Sequence, residues 1–544
     1  MSPRKIWIAS FCLLSIVLIS IAAWAGRLMM YPDGISYLDM ADKLRNGDAS
    51  PLLNAYWSPL YPCLLALMFK AFPDPAIQFQ AAHFVNWLIG IGALASFTFF
   101  LISYLYMKVT VDSLSSFRCR TAFAYALFLW GALEAIGLAG VGADLCVMAL
   151  VFLAAGLCCR LQSSSSLTAA LLLAVTLSLA CFSKAALIPL SMALYVLLAL
   201  SRRMRMPLLA ASGVAFIVLL GPYVTALSLQ EHHFTIGESG KLNYAWQVLK
   251  EAPQSAGWRD TSTEAGTPLH APLLLNVDPP VIAFAGPISD TNALWYDPVY
   301  FYEGLRVRFD LRKQIATLIH SALAMRPAAG TILFPLVAGL FVLGCRVTFR
   351  RVIDGLSKSI FLYWAIAAFG LYSLVVVESR YIAAFLVLFW FVLYESLASL
   401  PLRSWSRAAI AATAVCILLF QNQGVLKAAG DSVTGAKAAA HFTAAKELMQ
   451  LGLKPGDSIA TVGSGFDAFY AKLAQLRIVA NVGYLSGPDP IDKQFRPLDD
   501  TTFAPIVDKL RPLQIKAVVG PCAYLTTGMR WARLGDSGFC ATVF

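Results

Sequence analysis

Three aspartates lie close together in the segment YPDGISYLDMADKLRNG, residues 31–47. The segment follows an apolar run that is long enough to cross a bilayer, so its carboxylates are expected at a membrane surface. A carboxylate held against a hydroxyl group can take its proton while the oxygen attacks an electrophilic carbon. These residue types therefore make general-base chemistry at the membrane surface a candidate function for the segment.

The spacing within this segment separates Asp33 from the other two aspartates. In a helix that begins here, Asp33 and Tyr37 share one face, whereas Asp39 and Asp42 lie largely elsewhere. We predict that Asp33 faces a cavity on the membrane side and that Asp39 and Asp42 are solvated on the outer face. The alternative for Asp33, which follows Pro32, is a helix N-cap that accepts hydrogen bonds from first-turn amides.

Further charged side chains occur at short turns between apolar runs. Asp144 ends the sequence VGAD, Lys184 lies in FSKAALIPL, and Arg380 lies in ESRYIAAF. A basic side chain at the end of a span can bind a phosphate group, or it can anchor the helix by extending to lipid headgroups. The sequence leaves both interpretations open for Lys184 and Arg380.

Aromatic residues are concentrated in the polar segments between the apolar runs. They are Trp57, Tyr61, Trp295, Tyr296 and Tyr302. They could stack on sugar rings or form the aromatic belt of a membrane protein, and we favour the belt. Asp297 and Glu303, in YDPVYFYEG, could bind sugar hydroxyls or serve at a turn and helix start.

The composition indicates the class of protein. Of 544 residues, 58 % are hydrophobic and only 13 % are charged, which is typical of an integral membrane protein. The net charge of +11 could indicate a nucleic-acid partner, but the basic residues lie in short clusters between apolar runs. Such clusters set membrane orientation, and we expect no nucleic-acid binding.

About eleven apolar runs are candidate transmembrane helices, since about 20 apolar residues cross the hydrocarbon core. They are residues 6–26, 77–107, 121–140, 143–160, 167–183, 185–201, 207–228, 329–345, 359–377, 381–400 and 408–424. Basic clusters fall in alternate connections, so the positive-inside rule makes these connections and the N-terminus cytoplasmic. The loops 27–76 and 229–325, the turns at Asp144, Lys184 and Arg380, and the tail are then extracytoplasmic.

The tail has the pattern of a small α/β domain. The sequences AKAAAHFTAAKELMQLG and FDAFYAKLAQL predict helices, and DSIATVG and IKAVVG predict buried strands. TVGSGFDA, residues 461–468, lacks the third glycine of a dinucleotide-binding loop, so we favour a tight strand-to-helix turn. We predict two domains: residues 1–424, with the loops 27–76 and 229–325, and an extracytoplasmic α/β domain over 425–544.

Most of the 11 cysteines lie in apolar runs, where cysteine is usually a small core residue. Cys522 and Cys540 are different, because both lie in the extracytoplasmic tail. A disulfide can persist there, and a bridge between them is left open. No spacing of Cys and His resembles a zinc site.

Taken in their order along the chain, these motifs resemble the GT-C glycosyltransferases. Members of this superfamily are multi-span enzymes that take sugar from a polyprenyl-phosphate donor, and they include protein O-mannosyltransferases and the aminoarabinose transferase of lipid A. Residues 31–47 with NAYWSPLYPCLLALMFKAF, residues 54–72, are similar to their first extracytoplasmic loop. That loop carries two juxtamembrane helices and an aspartate soon after the first span, which corresponds to Asp33.

The later turns continue the resemblance. VGAD is similar to the short second loop with its acidic residue, here Asp144, and FSKAALIPL to the turn whose basic residue faces the lipid phosphate, here Lys184. ESRYIAAF resembles a late turn with Arg380 and Tyr381 near the same place. The resemblance implies that Asp33 is a general base and that the basic residues stabilise a phosphate leaving group.

We therefore predict a mainly α, polytopic membrane protein of GT-C type with a small extracytoplasmic α/β domain, in a bacterial inner membrane. It would be an inverting enzyme that transfers sugar from a polyprenyl-phosphate donor to a glycan, lipid or protein acceptor. Asp33 is the predicted catalytic residue, and the predicted substrate-binding residues are Tyr37, Trp57, Asp144, Lys184, Tyr296, Asp297, Glu378, Arg380 and Tyr381. No cofactor is expected, although Asp33 and Asp144 could hold a divalent metal ion.

Two other classes of function remain as alternatives. A transporter or flippase for a lipid-linked substrate would show paired repeats and charges at mid-membrane, and neither pattern is visible in the sequence. A non-catalytic scaffold that binds a partner through the tail would fit if Asp33 only caps its helix.

Overall fold

The computed structural model of the chain describes residues 2–107, 114–250, 257–259, 265–284, 286–325, 359–398, 412, 439–483, 498, 500–525 and 531–544. These residues form a bundle of apolar helices and a sheet with short helices against it. The prediction of a polytopic, mainly α membrane protein with a small α/β domain is confirmed.

The first part of the chain is almost entirely helical. Its helices are α1 (Pro3–Gly26), α2 (Pro32–Arg45), α3 (Leu60–Ala71), α4 (Gln78–Met107), α5 (Leu114–Leu129), α6 (Asp144–Ser163), α7 (Leu167–Ser183), α8 (Leu187–Ser201) and α9 (Met206–Gln230). Helix α5 continues as a π-helix to Ile136 and ends where Gly137 takes a φ of +78°. Later helices are residues 311–325, Ile360–Ser373 and Ser379–Ala398.

Every predicted span that falls on described residues coincides with one of these helices. The candidates long and apolar enough to cross a membrane are Pro3–Gly26, Pro75–Met107, Ser116–Ile136, Asp144–Ser163, Met206–Gln230 and Ser379–Ser396. The spans at 167–183, 185–201 and 359–377 are shorter apolar helices. The predicted spans 329–345 and 408–424 lie outside the described residues.

The sheet combines strands from two distant parts of the chain. Its strands are β1 (Leu273–Val277), β2 (Pro280–Ala283), β3 (Ser458–Val462), β4 (Arg477–Val482), β5 (Ala517–Pro521), β6 (Ala532–Arg533) and β7 (Phe539–Val543). Their order across the sheet is β1-β2-β4-β3-β5-β7-β6. Strand β3 runs parallel to β4 and β5, whereas the other pairs are antiparallel.

Strands β3 and β5 confirm the two predicted tail strands, and helix Ala439–Gln450 confirms the predicted amphipathic helix. The sequence did not indicate that the long loop 229–325 supplies β1 and β2. Because β2 hydrogen-bonds to β4, the hairpin covers an edge that would otherwise expose unpaired backbone groups. The tail strands β3 to β7 therefore share one sheet with a hairpin of the long loop 229–325.

The glycine-rich segment after β3 forms a tight turn, as the sequence favoured. Gly463 has a φ of +89°, which favours glycine, and the chain then enters a short 3₁₀ helix, Gly465–Asp467. The ring of Phe466 lies against Trp295 with 4.9 Å between ring centroids. The turn thus packs on the protein's own aromatic cluster.

Cys522 and Cys540 form a disulfide, the bridge that the sequence had left open.

Candidate active site

Helix α2 is held against the loop before α6 by a close backbone approach. A Cβ atom placed on Gly34 would lie 2.9 Å from Cβ of Val141, so only glycine allows this contact without a shift. The ring of Tyr31 packs in the same way on Gly140. The contact brings the first turn of α2, with Asp33, next to Asp144 at the start of α6.

Arg380 joins the acidic residues of three separate turns. Its Nη1 atom lies 3.0 Å from Oδ2 of Asp33 and 3.8 Å from Oδ2 of Asp144, and its Nε atom lies 2.6 Å from Oε2 of Glu378. Arg380 stands at the start of helix Ser379–Ala398, where the Ser379 hydroxyl donates to the carbonyl of Ala135. The guanidinium group is thereby placed between the two aspartates.

Lys184 completes the cluster from the turn between α7 and α8. Its Nζ atom donates a hydrogen bond of 2.6 Å to Oδ1 of Asp144 and lies 3.6 Å from the ring centroid of Tyr381. Nη2 of Arg380 donates to the hydroxyl group of Tyr381 at 3.1 Å. The tyrosine therefore contacts both cations, and a cation over an aromatic face is electrostatically favourable.

The active-site cluster is defined here as Asp33, Asp144, Lys184, Glu378, Arg380 and Tyr381. Asp144 is buried, but the charges around it are partly open to solvent: Asp33 is 23 % exposed and Arg380 and Lys184 are each 26 % exposed. Charges that solvent can reach are also accessible to a ligand. The arrangement could bind a phosphate group through its cations and accept a proton through a carboxylate.

Two tyrosines lie beside this cluster. Tyr37 is on α2, and burial, followed by the charges of Asp33 and Asp144, raises its pKa well above the usual value. For Tyr56, burial and then the charge of Asp33 raise the pKa in the same direction. Both phenols therefore stay neutral at physiological pH. Tyr56 was missed by the sequence interpretation, although it stands next to Trp57 in NAYWSPL.

The aromatic residues of the polar segments form an internal cluster and not a membrane belt. Trp57, Tyr61, Trp295, Tyr296 and Tyr302 are all buried. The Trp57 indole donates to the backbone oxygen of Trp295 at 3.0 Å, and its ring contacts Tyr37 with 5.1 Å between centroids. The favoured belt interpretation is wrong, because these buried rings pack on one another, with Tyr61 also on Asn86 of α4 and Trp295 on Phe466 of the tail. The buried ring of Trp57 packs against Tyr37 and Trp295, so its faces are not open for stacking.

Tyr296 and Asp297 lie away from the active-site cluster. The ring of Tyr296 carries the ammonium group of Lys43 at 4.2 Å from its centroid. The Asp297 side chain accepts from the backbone N–H of Tyr300 at 3.3 Å and begins the short helix Pro298–Phe301. For Asp297 the structure shows the helix-start role that the sequence had left as the alternative.

The aspartates of α2 do not behave as the spacing predicted. The N-cap is Tyr31, no side chain caps this end, and Asp33 lies within the first turn. The N-cap interpretation of Asp33 is therefore wrong. Asp39 is buried, so its predicted solvated position is also wrong. The physical reason is that Thr291 of the long loop and Lys472 of the tail cover this face and hydrogen-bond to Asp39.

A second buried polar network lies on the opposite side of α2. Lys43 pairs with Asp290 at 2.8 Å, and the Lys472 ammonium bridges Asp39 and Asp42. The Gln78 amide of α4 donates to Asp42 at 2.8 Å. Helix α2 is therefore bonded on one side to the active-site cluster and on the other to α4, the long loop and the tail domain.

Asp290 is expected to make the stability of this network depend on pH. Burial, and then the charge of Asp39, raise the pKa of Asp290 to about 6, whereas Lys43 lowers it. The folded protein thus binds this proton more tightly than the unfolded chain, so its contribution to stability is largest below about pH 4 and falls as the pH rises through 6. We expect Asp290→Asn to flatten this fall, because the amide does not titrate.

Thermal unfolding of the wild type and of Asp290→Asn between pH 4 and pH 8 measures this difference. Asp508→Asn, which changes an exposed aspartate of the tail domain, is the control and should keep the wild-type slope. Equal slopes for Asp290→Asn and the wild type would contradict the assignment.

Within the described part of the chain, no group of three or more His, Cys, Asp or Glu side chains is placed to hold a metal ion. Asp33 and Asp144 do lie close to the same guanidinium, but Arg380 and Lys184 already balance their charges. Activity without a divalent ion therefore stays a prediction.

Comparison with known proteins identifies the fold. No protein-family model and no curated protein matches the sequence. The structure of ArnT from Cupriavidus metallidurans bound to undecaprenyl phosphate aligns with 98 % of this chain and 97 % of its own, with a TM-score of 0.54 and 12 % sequence identity. The Archaeoglobus fulgidus oligosaccharyltransferase in complex with Zn and sulfate aligns with 95 % of this chain and 68 % of its own, with a TM-score of 0.47 and 14 % identity. The chain therefore shares the fold of the ArnT structure over nearly its whole length.

Proposed function

We propose that this protein is a membrane glycosyltransferase that moves a sugar from a polyprenyl-phosphate donor to an acceptor hydroxyl on the extracytoplasmic face. The observation that carries the proposal is the active-site cluster, in which four separate turns bring two aspartates against Arg380 and Lys184. The ArnT structure, which shares the fold, contains undecaprenyl phosphate. A lipid phosphate is the kind of ligand that paired cations at a membrane surface bind well.

In the proposed reaction the acceptor oxygen attacks the anomeric carbon while Asp33 takes its proton. The bond from that carbon to the phosphate oxygen breaks, and the phosphate leaves with the electron pair. Arg380 and Lys184 stabilise the charge that develops on it. A single displacement of this kind inverts the anomeric configuration. General-base assistance contributes on the order of 10²–10⁴-fold to such a step.

The contacts of Asp33 suit this sequence of events. Arg380 neutralises Asp33 through the ion pair of 3.0 Å. A phosphate bound beside Arg380 and Lys184 would compete for the guanidinium, because phosphate and carboxylate accept from the same N–H groups. We propose that donor binding draws Arg380 from Asp33 and frees the carboxylate to accept a proton.

We further propose that the enzyme works without a divalent metal ion. In many phosphate sites a cation balances the charge of the leaving group. Here Arg380 and Lys184 could supply that charge, and both already contact the acidic side chains that a metal would need.

A transfer assay tests this proposal directly. Purified protein in proteoliposomes would receive radiolabelled sugars on candidate polyprenyl phosphates, with bacterial glycans, lipids or periplasmic protein as acceptors. We expect label to move to an acceptor and to continue moving in the presence of EDTA. Translocation of the intact donor without transfer would instead favour a flippase, and a loss of transfer with EDTA that Mg²⁺ or Mn²⁺ restores would contradict metal independence.

The proposed orientation places the active-site cluster and the tail outside the cytoplasm. Two observations support it: the acidic and basic turns meet at one end of the bundle, and the tail contains a disulfide, which persists in oxidising compartments. We expect an alkaline phosphatase fused after residue 430 to be active in bacterial cells. A fusion after residue 204, in a basic connection, is the control and should be inactive. The reverse pattern would contradict the orientation and with it the site of transfer.

A further inference from the structure

The tail domain places one buried lysine against the helix that carries Asp33. Nζ of Lys472 lies 2.8 Å from Oδ1 of Asp39 and 2.7 Å from Oδ2 of Asp42. The Lys472 side chain is only 7 % exposed. Burying an ammonium group is unfavourable unless it is paired, so the two carboxylates of α2 are what makes this position acceptable for lysine.

The contact of Lys472 with Asp39 and Asp42 restrains both the rotation of α2 about its axis and its position along that axis. Asp39 and Asp42 are three residues apart and lie on one face of the helix. Asp39 also accepts from the backbone and the hydroxyl group of Thr291, and Asp42 accepts from Gln78. The tail, the long loop and α4 thus converge on the same face of α2.

Lys472 does not itself reach the reacting groups. Asp33 precedes Asp39 by six residues, which is about 9 Å along a helix axis at 1.5 Å per residue. Any effect of Lys472 on Asp33 must therefore pass through the position of α2. A displacement of about 1 Å at a reacting group can lower a rate by about 10²-fold.

The protonation state of Lys472 favours its ion pairs with Asp39 and Asp42. Burial lowers the pKa of Lys472, but the carboxylates of Asp39 and Asp42 raise it by more, so the ammonium stays protonated. The first turn of α2, in contrast, has no capping side chain. Asp39 and Asp42 therefore add polar restraints on this helix about two turns beyond the ion pair of Asp33 with Arg380.

We propose that Lys472 is a positioning residue that fixes α2 so that Asp33 meets Arg380, which makes the tail domain a required part of the transfer site. This inference rests on the proposed function. It assigns the tail a role in the reaction step itself, in addition to any contact that the tail makes with an acceptor.

Lys472→Met in the full-length protein tests the inference, with Lys446→Met, at an exposed lysine of the same domain, as the matched control. We expect the rate constant of single-turnover transfer to fall at least about tenfold. Affinity for the lipid donor should stay within about twofold, since Lys184 and Arg380 are unchanged. A lysine that only stabilised the fold would lower the amplitude of the turnover and leave the rate constant of the folded fraction unchanged, and that result would overturn the proposal.

Hydrogen exchange gives a second measurement that does not need activity. The backbone amides of α2 that follow Pro32 should exchange faster in Lys472→Met and at the wild-type rate in Lys446→Met. Unchanged exchange in Lys472→Met would overturn the inference. A wild-type protein that transfers no sugar would count against the proposed function, while the exchange rates would still decide whether Lys472 fixes α2.

A double variant covers the case in which Lys472→Met folds poorly because two carboxylates lose their partner. Asp39→Asn/Lys472→Met removes one buried charge of each sign and leaves Asp42 with Gln78 and Arg45. If both residues act through one ion pair, the double variant should transfer no more slowly than Lys472→Met. Losses that simply add would show that the two residues act separately and would overturn the proposal.

Discussion

Asp33→Asn is expected to lower turnover by about two orders of magnitude or more while the protein remains folded. The amide keeps the size of the side chain and an oxygen that can accept from Arg380, but it cannot take a proton from an acceptor hydroxyl. Asp33 is 23 % exposed, and partly exposed ion pairs contribute about 1 kcal/mol or less to stability. Steady-state transfer with saturating donor, together with thermal unfolding, measures the two effects separately.

The control for this substitution must be a carboxylate outside the active-site cluster. Asp39, on the same helix, is unsuitable because it is buried against Lys472. Asp74→Asn is suitable, because Asp74 is exposed, caps a short 3₁₀ helix through the N–H of Ala76, and asparagine caps as well as aspartate. We expect Asp74→Asn to retain wild-type turnover.

The result also separates two roles for Asp33. If the carboxylate only orients Arg380, Asp33→Asn should weaken donor binding, because the charge that holds the guanidinium is lost. The saturated rate should then stay nearly unchanged, since the amide oxygen still accepts a hydrogen bond from Arg380. If it is the base, the saturated rate falls and donor binding is retained. A saturated rate equal to that of the wild type would move the base to Asp144, the other carboxylate of the cluster.

The membrane helices and the turns of the active-site cluster could be predicted because their signals are local. A run of apolar residues indicates a span, and the alternation of basic clusters predicts that alternate turns lie at one end of the bundle. Asp33, Asp144, Lys184 and Arg380 were therefore expected on the same side. Their pairing within 2.6–3.8 Å depends on how the helices pack, which no local pattern contains.

The contacts of α2 with the tail could not be predicted from the sequence. Asp39 and Asp42 follow the pattern of a solvated helix face, and their partner Lys472 is about 430 residues away. The same holds for the hairpin of β1 and β2, because its strand β2 pairs with the tail strand β4, where Val281 lies opposite Val482. Such pairing is set by tertiary context, which overrides local preference.

The aromatic residues show a third limit. Trp57 and Trp295 are of the residue type that is typical of a membrane belt. Because amphipathic rings occur both in belts and in buried clusters, residue type alone does not distinguish the two. Their burial follows from the loop and the turn at Phe466, which contacts Trp295 from the tail. Periodicity within the loop gave no sign of this cover, because the helices and strands between residues 239 and 301 are only four to six residues long.

Removal of either cation of the active-site cluster is expected to weaken donor binding. A charge-assisted hydrogen bond to phosphate contributes roughly 1.5–3 kcal/mol, so Lys184→Ala or Arg380→Ala should raise the dissociation constant for a polyprenyl phosphate about tenfold to a hundredfold. Each substitution leaves a carboxylate without its nearest cation, but Asp144 keeps Arg380 at 3.8 Å in Lys184→Ala. Folding should therefore change less than binding. Quenching of intrinsic tryptophan fluorescence by the lipid phosphate is a direct measurement of affinity.

Arg27→Ala is the control that separates phosphate binding from membrane anchoring. Arg27 lies at the C-terminal end of α1 with its guanidinium 4.3 Å from the ring centroid of Trp24, the arrangement expected of an interfacial anchor. If Lys184 and Arg380 were only anchors, all three variants would affect insertion and stability alike and would bind the lipid phosphate as the wild type does. We expect instead that only the two cluster variants lose affinity, and that Arg380→Lys, which keeps the charge but not the two-armed geometry, recovers part of it.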